Sequence, residues 1–120
     1  MDEIDLLPEA LRGQSLSKRE IVVPYQQALD ALEILAVAKL AVVGWEGWMK
    51  YVDGRHGHAP GGVMGTESIE REAGETWEDY VQRSARFCAE TITKEQQAWN
   101  ANPDSVRLLL YFCLTAIAET

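Results

Sequence analysis

Cysteine is nearly missing from this chain: Cys88 and Cys113 are the only two in 120 residues. That count excludes a disulfide framework and a four-cysteine zinc fold. Each cysteine sits in an apolar stretch, where a reduced core thiol is the expected state, and pairing between the two stays open. Basic residues are scarce as well. Lys and Arg total 11 against 19 Asp and Glu, giving a formal charge of −8. Such a chain repels phosphate backbones and anionic lipid, so neither nucleic acid nor membrane is expected as a partner. Long hydrophobic runs are lacking. The longest, Ile34 to Val43, is interrupted by Lys39 and is too short to cross a bilayer. The first residues, Met-Asp-Glu-Ile-Asp-Leu-Leu-Pro-Glu, lack the basic start and apolar run of a secretory signal. Cytoplasmic residence is the expectation left by elimination.

Signatures of catalysis are missing too. The chain has no Gly-x-Ser-x-Gly and no phosphate loop, and neither Gly44-x-x-Gly47 nor Gly61-Gly62 opens a helix of a βαβ unit. The sequence leans away from an enzyme and assigns no catalytic residue, no metal and no cofactor. It does have the apolar and charged fractions of an ordinary globular protein, 47% and 25%. A chain of this size buries roughly two-thirds of its surface on folding, enough for one core. One domain is expected over residues 20–120, preceded by a peripheral segment, 1–19. In that segment Pro8 to Arg12 suits a single helical turn ended by Gly13.

Two helices are legible. From Pro24 to about residue 41, Tyr25, Ala28, Leu29, Leu32, Leu35, Ala36 and Leu40 recur at helical spacing, opposite Gln26, Gln27, Asp30 and Glu33. The polar face fades after Glu33, so this helix should be largely buried toward its end. A second helix, 76–100, opens with Thr76 as N-cap and Asp79 at the capping-box position. Its stripe is Trp77, Tyr80, Val81, Ala85, Cys88, Ile92 and Trp99, with Phe87 at the margin. Asp79–Arg83, Arg86–Glu90 and Glu90–Lys94 are spaced for surface ion pairs.

Residues 44–65 hold seven of the nine glycines, both histidines and two of the four tryptophans. Glycine so dense excludes ordinary helix. Asp53-Gly54 signals a two-residue type I′ hairpin turn within a hairpin spanning 42–59. That turn would pair Tyr51 with His56 and Met49 with His58, placing both histidines on the Trp45, Met49 and Tyr51 side. Glu46, Trp48 and Lys50 would take the other side. Pro60-Gly61-Gly62 would end the second strand. The last segment, 106–118, carries one charge, Arg107, and suits either a buried strand or a helix started by Asn102-Pro103. A lone hairpin is marginal and needs a further strand, which favours strand. The fold expected is α+β: two main helices packed on a small, mostly antiparallel sheet of the hairpin and the C-terminal strand, with 20–23 as a possible edge. The alternative is an all-α domain with 44–66 as an ordered loop.

Two functional readings follow. In the first, a small acidic, non-catalytic binding protein recognises a protein partner with a basic surface, as inhibitors and toxin-immunity proteins do. Trp48 and Glu46 supply an aromatic anchor with its acidic neighbour, and Glu67, Glu70, Glu72 and Glu75 an acidic stretch. The bland readings beside these are a covered tryptophan and a solvated loop. In the second, Trp45, Tyr51, Asp53, His56 and His58 form a small-molecule or metal site, which could be catalytic. His-x-His fixes no third ligand by spacing. Oligomeric state is open, with a dimer allowed.

Overall fold

The computed structural model describes residues 2–58, 65, 66 and 68–119, with His58 through its backbone. In chain order they form a 3-10 turn (Glu3–Leu6), α1 (Glu9–Arg12), β1 (Ile21–Pro24), α2 (Tyr25–Val37), β2 (Ala41–Tyr51), β3 (His56–His58), α3 (Trp77–Asn100), a 3-10 turn (Pro103–Val106) and β4 (Leu108–Ile117). The strands form one sheet in the order β1-β4-β2-β3, every pair antiparallel. The α+β class is as the sequence indicates, and the 20–23 run does supply an edge strand.

The C-terminal run satisfies both of its sequence signals. Asn102 caps a helical start, accepting the Asp104 N–H at 2.9 Å. That start is spent on a single 3-10 turn, and from Leu108 the β-prone run takes over as β4. β4 is central and buried on both faces from Leu110 to Leu114. Leu110, Phe112 and Leu114 meet Ile21 and Val23 of β1 and Trp45 and Met49 of β2. Above them lie Ala28, Ala31, Leu32 and Leu35 of α2 and Cys88, Ile92 and Trp99 of α3. Both helices therefore cover one side of the sheet. The N-terminal segment, expected at the periphery, sends Ile4 and Leu7 into this core.

Helix α2 stops at Val37, earlier than its periodicity suggests. Lys39 adopts a left-handed φ of 63°. The Leu40 N–H returns to the Leu35 carbonyl and the Lys39 N–H to that of Ala36. This is a Schellman ending with lysine at the position glycine usually fills. Nor is the end of α2 buried as expected, since Val37 is 84% exposed. Helix α3 starts where its cap predicts, with Thr76 Oγ1 accepting the Asp79 N–H at 3.1 Å.

The hairpin register differs from expectation by one residue. Tyr51 pairs with Arg55 through its N–H at 2.8 Å, and the Gly54 N–H bonds the Tyr51 carbonyl at 3.0 Å. The loop is thus three residues, Val52-Asp53-Gly54, with Gly54 alone at positive φ, 94°. A type I turn followed by a glycine bulge needs one positive φ, whereas type I′ needs two. Asp53 favours the former by accepting the Arg55 N–H (3.0 Å) and pairing with its guanidinium at 2.8 Å. The Arg55 guanidinium also lies over the Tyr51 ring, 4.8 Å from its centroid. In consequence His56 pairs with Lys50, Gly57 with Met49 and His58 with Trp48. A slip of one residue moves side chains to the opposite face. His56 accordingly shares the side of Trp48 and Lys50, not that of Trp45 and Met49. The expected strand end at Pro60-Gly61-Gly62 lies outside the described residues.

Candidate functional site

The side of the sheet away from α2 and α3 is built by alternation along three strands. Glu46, Trp48 and Lys50 come from β2, His56 from β3, and Leu109, Tyr111 and Cys113 from β4. Trp48 lies opposite Tyr111, Lys50 opposite Leu109 and Glu46 opposite Cys113. Val22, Tyr111 and Cys113 form a small apolar cluster here, with Leu16 and Trp48 packed against it, both partly buried. The indole of Trp48 donates from Nε1 to Glu46 Oε1 at 3.1 Å. Its ring stacks on the His56 imidazole, centroids 6.0 Å apart and planes 27° from parallel. Leu109, at one end, is 54% exposed.

Trp48 is therefore half covered, a state between its two sequence readings. Its ring packs against apolar neighbours and its Nε1 bonds a carboxylate, which restricts its rotamer. Glu20 joins Glu46 around Cys113. Burial first, then these two carboxylates, push the Cys113 thiol up to about 12. Burial does the same to Cys88, whose thiol donates to the Val42 carbonyl in the helix-side core. Both thiols stay protonated near neutral pH and are poor nucleophiles. They are unpaired and belong to the packing on opposite sides of the sheet.

The acidic stretch after residue 65 is organised, and its organiser is Arg83. The Arg83 guanidinium clasps Glu75 through two contacts, 2.7 and 2.8 Å, donates to the Glu70 carbonyl at 2.7 Å, and lies over the Tyr80 ring. It does not use Asp79, the partner its helical spacing suggests. The Tyr80 hydroxyl donates to the Ile69 carbonyl, and Arg71 binds both the Glu75 carbonyl and Glu119. At the other end of this strap, the Thr66 N–H bonds Trp45 O at 3.0 Å and the Ile69 N–H bonds Val43 O at 2.7 Å. These contacts cover the edge of β2 beyond the reach of three-residue β3. Of the expected acidic surface, Glu70 and Glu72 are exposed, Glu75 is engaged, and Glu67 lies outside the described residues. Where the strap meets the sheet, Glu46, Thr66, Ser68 and Thr115 line a shallow cleft of about 210 Å³.

The Arg83 bond, followed by the Glu72 N–H, holds the Glu75 carboxyl at about 2, well below its ordinary 4.5. A carboxyl whose folded value is depressed contributes its stability in full above the unfolded value and loses it as pH falls through the folded one. The strap should therefore be firm above about pH 5 and loosen as the pH falls toward 2. Hydrogen exchange at Glu72, whose N–H bonds Glu75 Oε1, measures this. Glu75→Gln should show fast exchange there already at neutral pH and lose the acid-dependent step.

The five residues of the alternative ligand site are not brought together. Trp45 is in the helix-side core, edge-on to Phe112 and donating to Thr91 Oγ1 at 2.8 Å. Tyr51 and Asp53 are at the hairpin tip with Arg55, His56 is beside Trp48, and the side chain of His58 lies outside the described residues. Among the described residues no group of three or more His, Cys, Asp or Glu is arranged to hold a metal ion. A cavity of about 440 Å³ between the start of α2, the end of α3 and β4 has no charged side chain in its lining. Its Trp99 and Gln96 side chains are bonded to Leu108 O and Asn100. Among the described residues no helix is long and apolar enough to cross a membrane. Sequence reasoning missed Leu109 and Tyr111, which sit in an unbroken apolar run with no marker of the open face, and Arg83, whose partners come from the strap. No protein-family model, curated protein or solved structure matches this chain.

Proposed function

We propose that this is a non-catalytic binding protein that recognises a basic protein partner on the sheet face around Trp48, in the manner of an inhibitor or immunity protein. The observation that carries the reading is Trp48 itself: a half-buried indole, seated on Tyr111, Cys113 and Val22, with Glu46 on its nitrogen. Anchored aromatics ringed by polar groups are where binding energy concentrates in protein interfaces. Glu20 and Glu46 flank the same patch, and the net charge of −8 favours a basic partner and speeds its encounter. The exposed Glu70 and Glu72 of the acidic strap add to the steering charge of the molecule, while Glu75 serves the strap. A ligand site in the hairpin is the competing reading, and the separation of Trp45 from His56 by the sheet weighs against it.

The test is recovery of a partner from the source cell at low and high salt, followed by titration of that partner. Trp48→Ala should weaken binding by about 2 kcal/mol or more, roughly 30-fold in Kd. High salt should weaken the wild type further through its association rate. A partner that binds Trp48→Ala as tightly as the wild type, or is indifferent to salt, would refute the assignment.

A further inference from the structure

The outward side of the helix layer is apolar at its centre. Between α2 and α3 runs a groove of about 560 Å³, floored by Leu29, Leu32, Ala36, Ala85 and Ala89. Ala36, Val37 and Gln82 continue it into a second cavity of about 330 Å³ toward the start of α3, which Lys39, Glu78 and Asp79 also line. Val37, on its rim, is 84% exposed. Among the described residues, the only charges in the lining of the larger groove are Glu33 on the α2 wall and Arg86 on the α3 wall. Neither makes an ion pair among the described residues.

We propose that this groove is the interface of a homodimer, with a second copy docked across a two-fold axis. Charge selects this occupant. Two chains of −8 repel each other broadly, so self-association needs a face where the charge balances. The larger groove holds one carboxylate and one guanidinium on facing walls. A two-fold axis makes such a face self-complementary, because Glu33 of each copy then meets Arg86 of the other. Val37 of each copy supplies the apolar ridge that enters the opposite groove. Completion of the sheet is a poorer route to a dimer. Ser15 and Leu16 already bond Val22 on the outer edge of β1, and Thr66 and Ile69 occupy β2 beyond β3. The footprint, about 15 Å along the chain from Leu29 to Lys39 and two helices wide, buries on the order of 800 Å² in total, so a weak, transient dimer is expected. It leaves the Trp48 face free on both copies and does not depend on the function proposed for that face.

Sedimentation equilibrium of the full chain from about 1 to 200 μM tests this, with a dimer expected to fill in across the range. Glu33→Arg and Arg86→Glu should each weaken the dimer at least about tenfold, and the two together should restore it. Val37→Glu, at a solvent-exposed position that cannot disturb the core, should leave a folded monomer. A wild type that stays monomeric throughout, a dimer that Val37→Glu leaves intact, or a double reversal that fails to recover association would each overturn the proposal.

Discussion

Phe112→Ala should cost about 4 kcal/mol of stability, within the 3–5 kcal/mol span of buried aromatic truncations. Phe112 is fully buried in the central strand and stands edge-on to Trp45, centroids 5.2 Å apart at 72°. Its ring is held between strand neighbours on two sides and the helix layer above, so the void left by truncation has no flexible wall to collapse into. The aromatic pair adds its own part, roughly 0.5–1.5 kcal/mol, to that cost. Domains of this size have about 5–15 kcal/mol of stability, so the variant should lose between about a quarter and most of it, with its thermal midpoint roughly 15 °C lower. Phe87→Ala is the internal comparison. Phe87 is 44% exposed, and its loss should cost no more than about 1 kcal/mol. Urea titration of the two variants checks both; equal costs would mean that the core is not centred on β4.

Only the Phe87 half of that contrast is legible in the sequence, since the run that holds Phe112 suits strand and helix alike, and the difference shows which kinds of information a sequence carries. Helical periodicity placed Phe87 at the margin of the α3 stripe, and Thr76 marked where that helix begins. Both are local patterns, set by the 3.6-residue repeat and by the unsatisfied N–H groups of a first turn. The end of α2 was not legible, because the left-handed residue is Lys39 and no glycine announces it. The presence of the hairpin was legible in Asp53-Gly54; its register was not. The same dipeptide serves a two-residue and a three-residue loop, and the difference of one residue decides which face His56 occupies. For the candidate site this mattered most. Alternation along one strand puts Trp48 and Glu46 together, but the turn dipeptide alone puts His56 beside the wrong neighbours, and nothing marks Leu109 and Tyr111 within an apolar run. The acids at 67–79 looked like surface by composition. Only the fold shows Arg83 reaching back to Glu75, a contact set by how α3 packs and by no local spacing.

Gly65→Ala should be the most damaging substitution outside the core, at about 2–4 kcal/mol. Three hydrogen bonds worth roughly 1 kcal/mol each are lost, because the strap cannot keep its place. Gly65 has a φ of 92°, and a Cβ there would fall 2.2 Å from the Trp45 carbonyl oxygen and 2.8 Å from the Glu46 Cα. Both are backbone atoms of β2, which is held in register by β4, so neither can move aside. Gly65, Thr66 and Ile69 must instead lift off the strand. That breaks the bonds from Thr66 N–H to Trp45 O and from Ile69 N–H to Val43 O, and the longer one from Trp45 N–H to Thr66 Oγ1 at 3.3 Å. Gly54 and Gly74 are matched controls. Both have positive φ, 94° and 80°, but a Cβ at either meets nothing within 4 Å. Alanine there should cost only the left-handed penalty, about 1–2 kcal/mol. Hydrogen exchange then locates the damage: the Thr66, Ile69 and Trp45 amides should speed up in Gly65→Ala. The Glu72 amide should stay protected, because the clasp of Arg83 on Glu75 does not pass through residues 65–69. The opened edge at Val43–Trp45 also exposes unpaired strand backbone, so the variant should aggregate on warming more readily than either control. Equal costs at the three glycines would mean that the strap is not seated on β2.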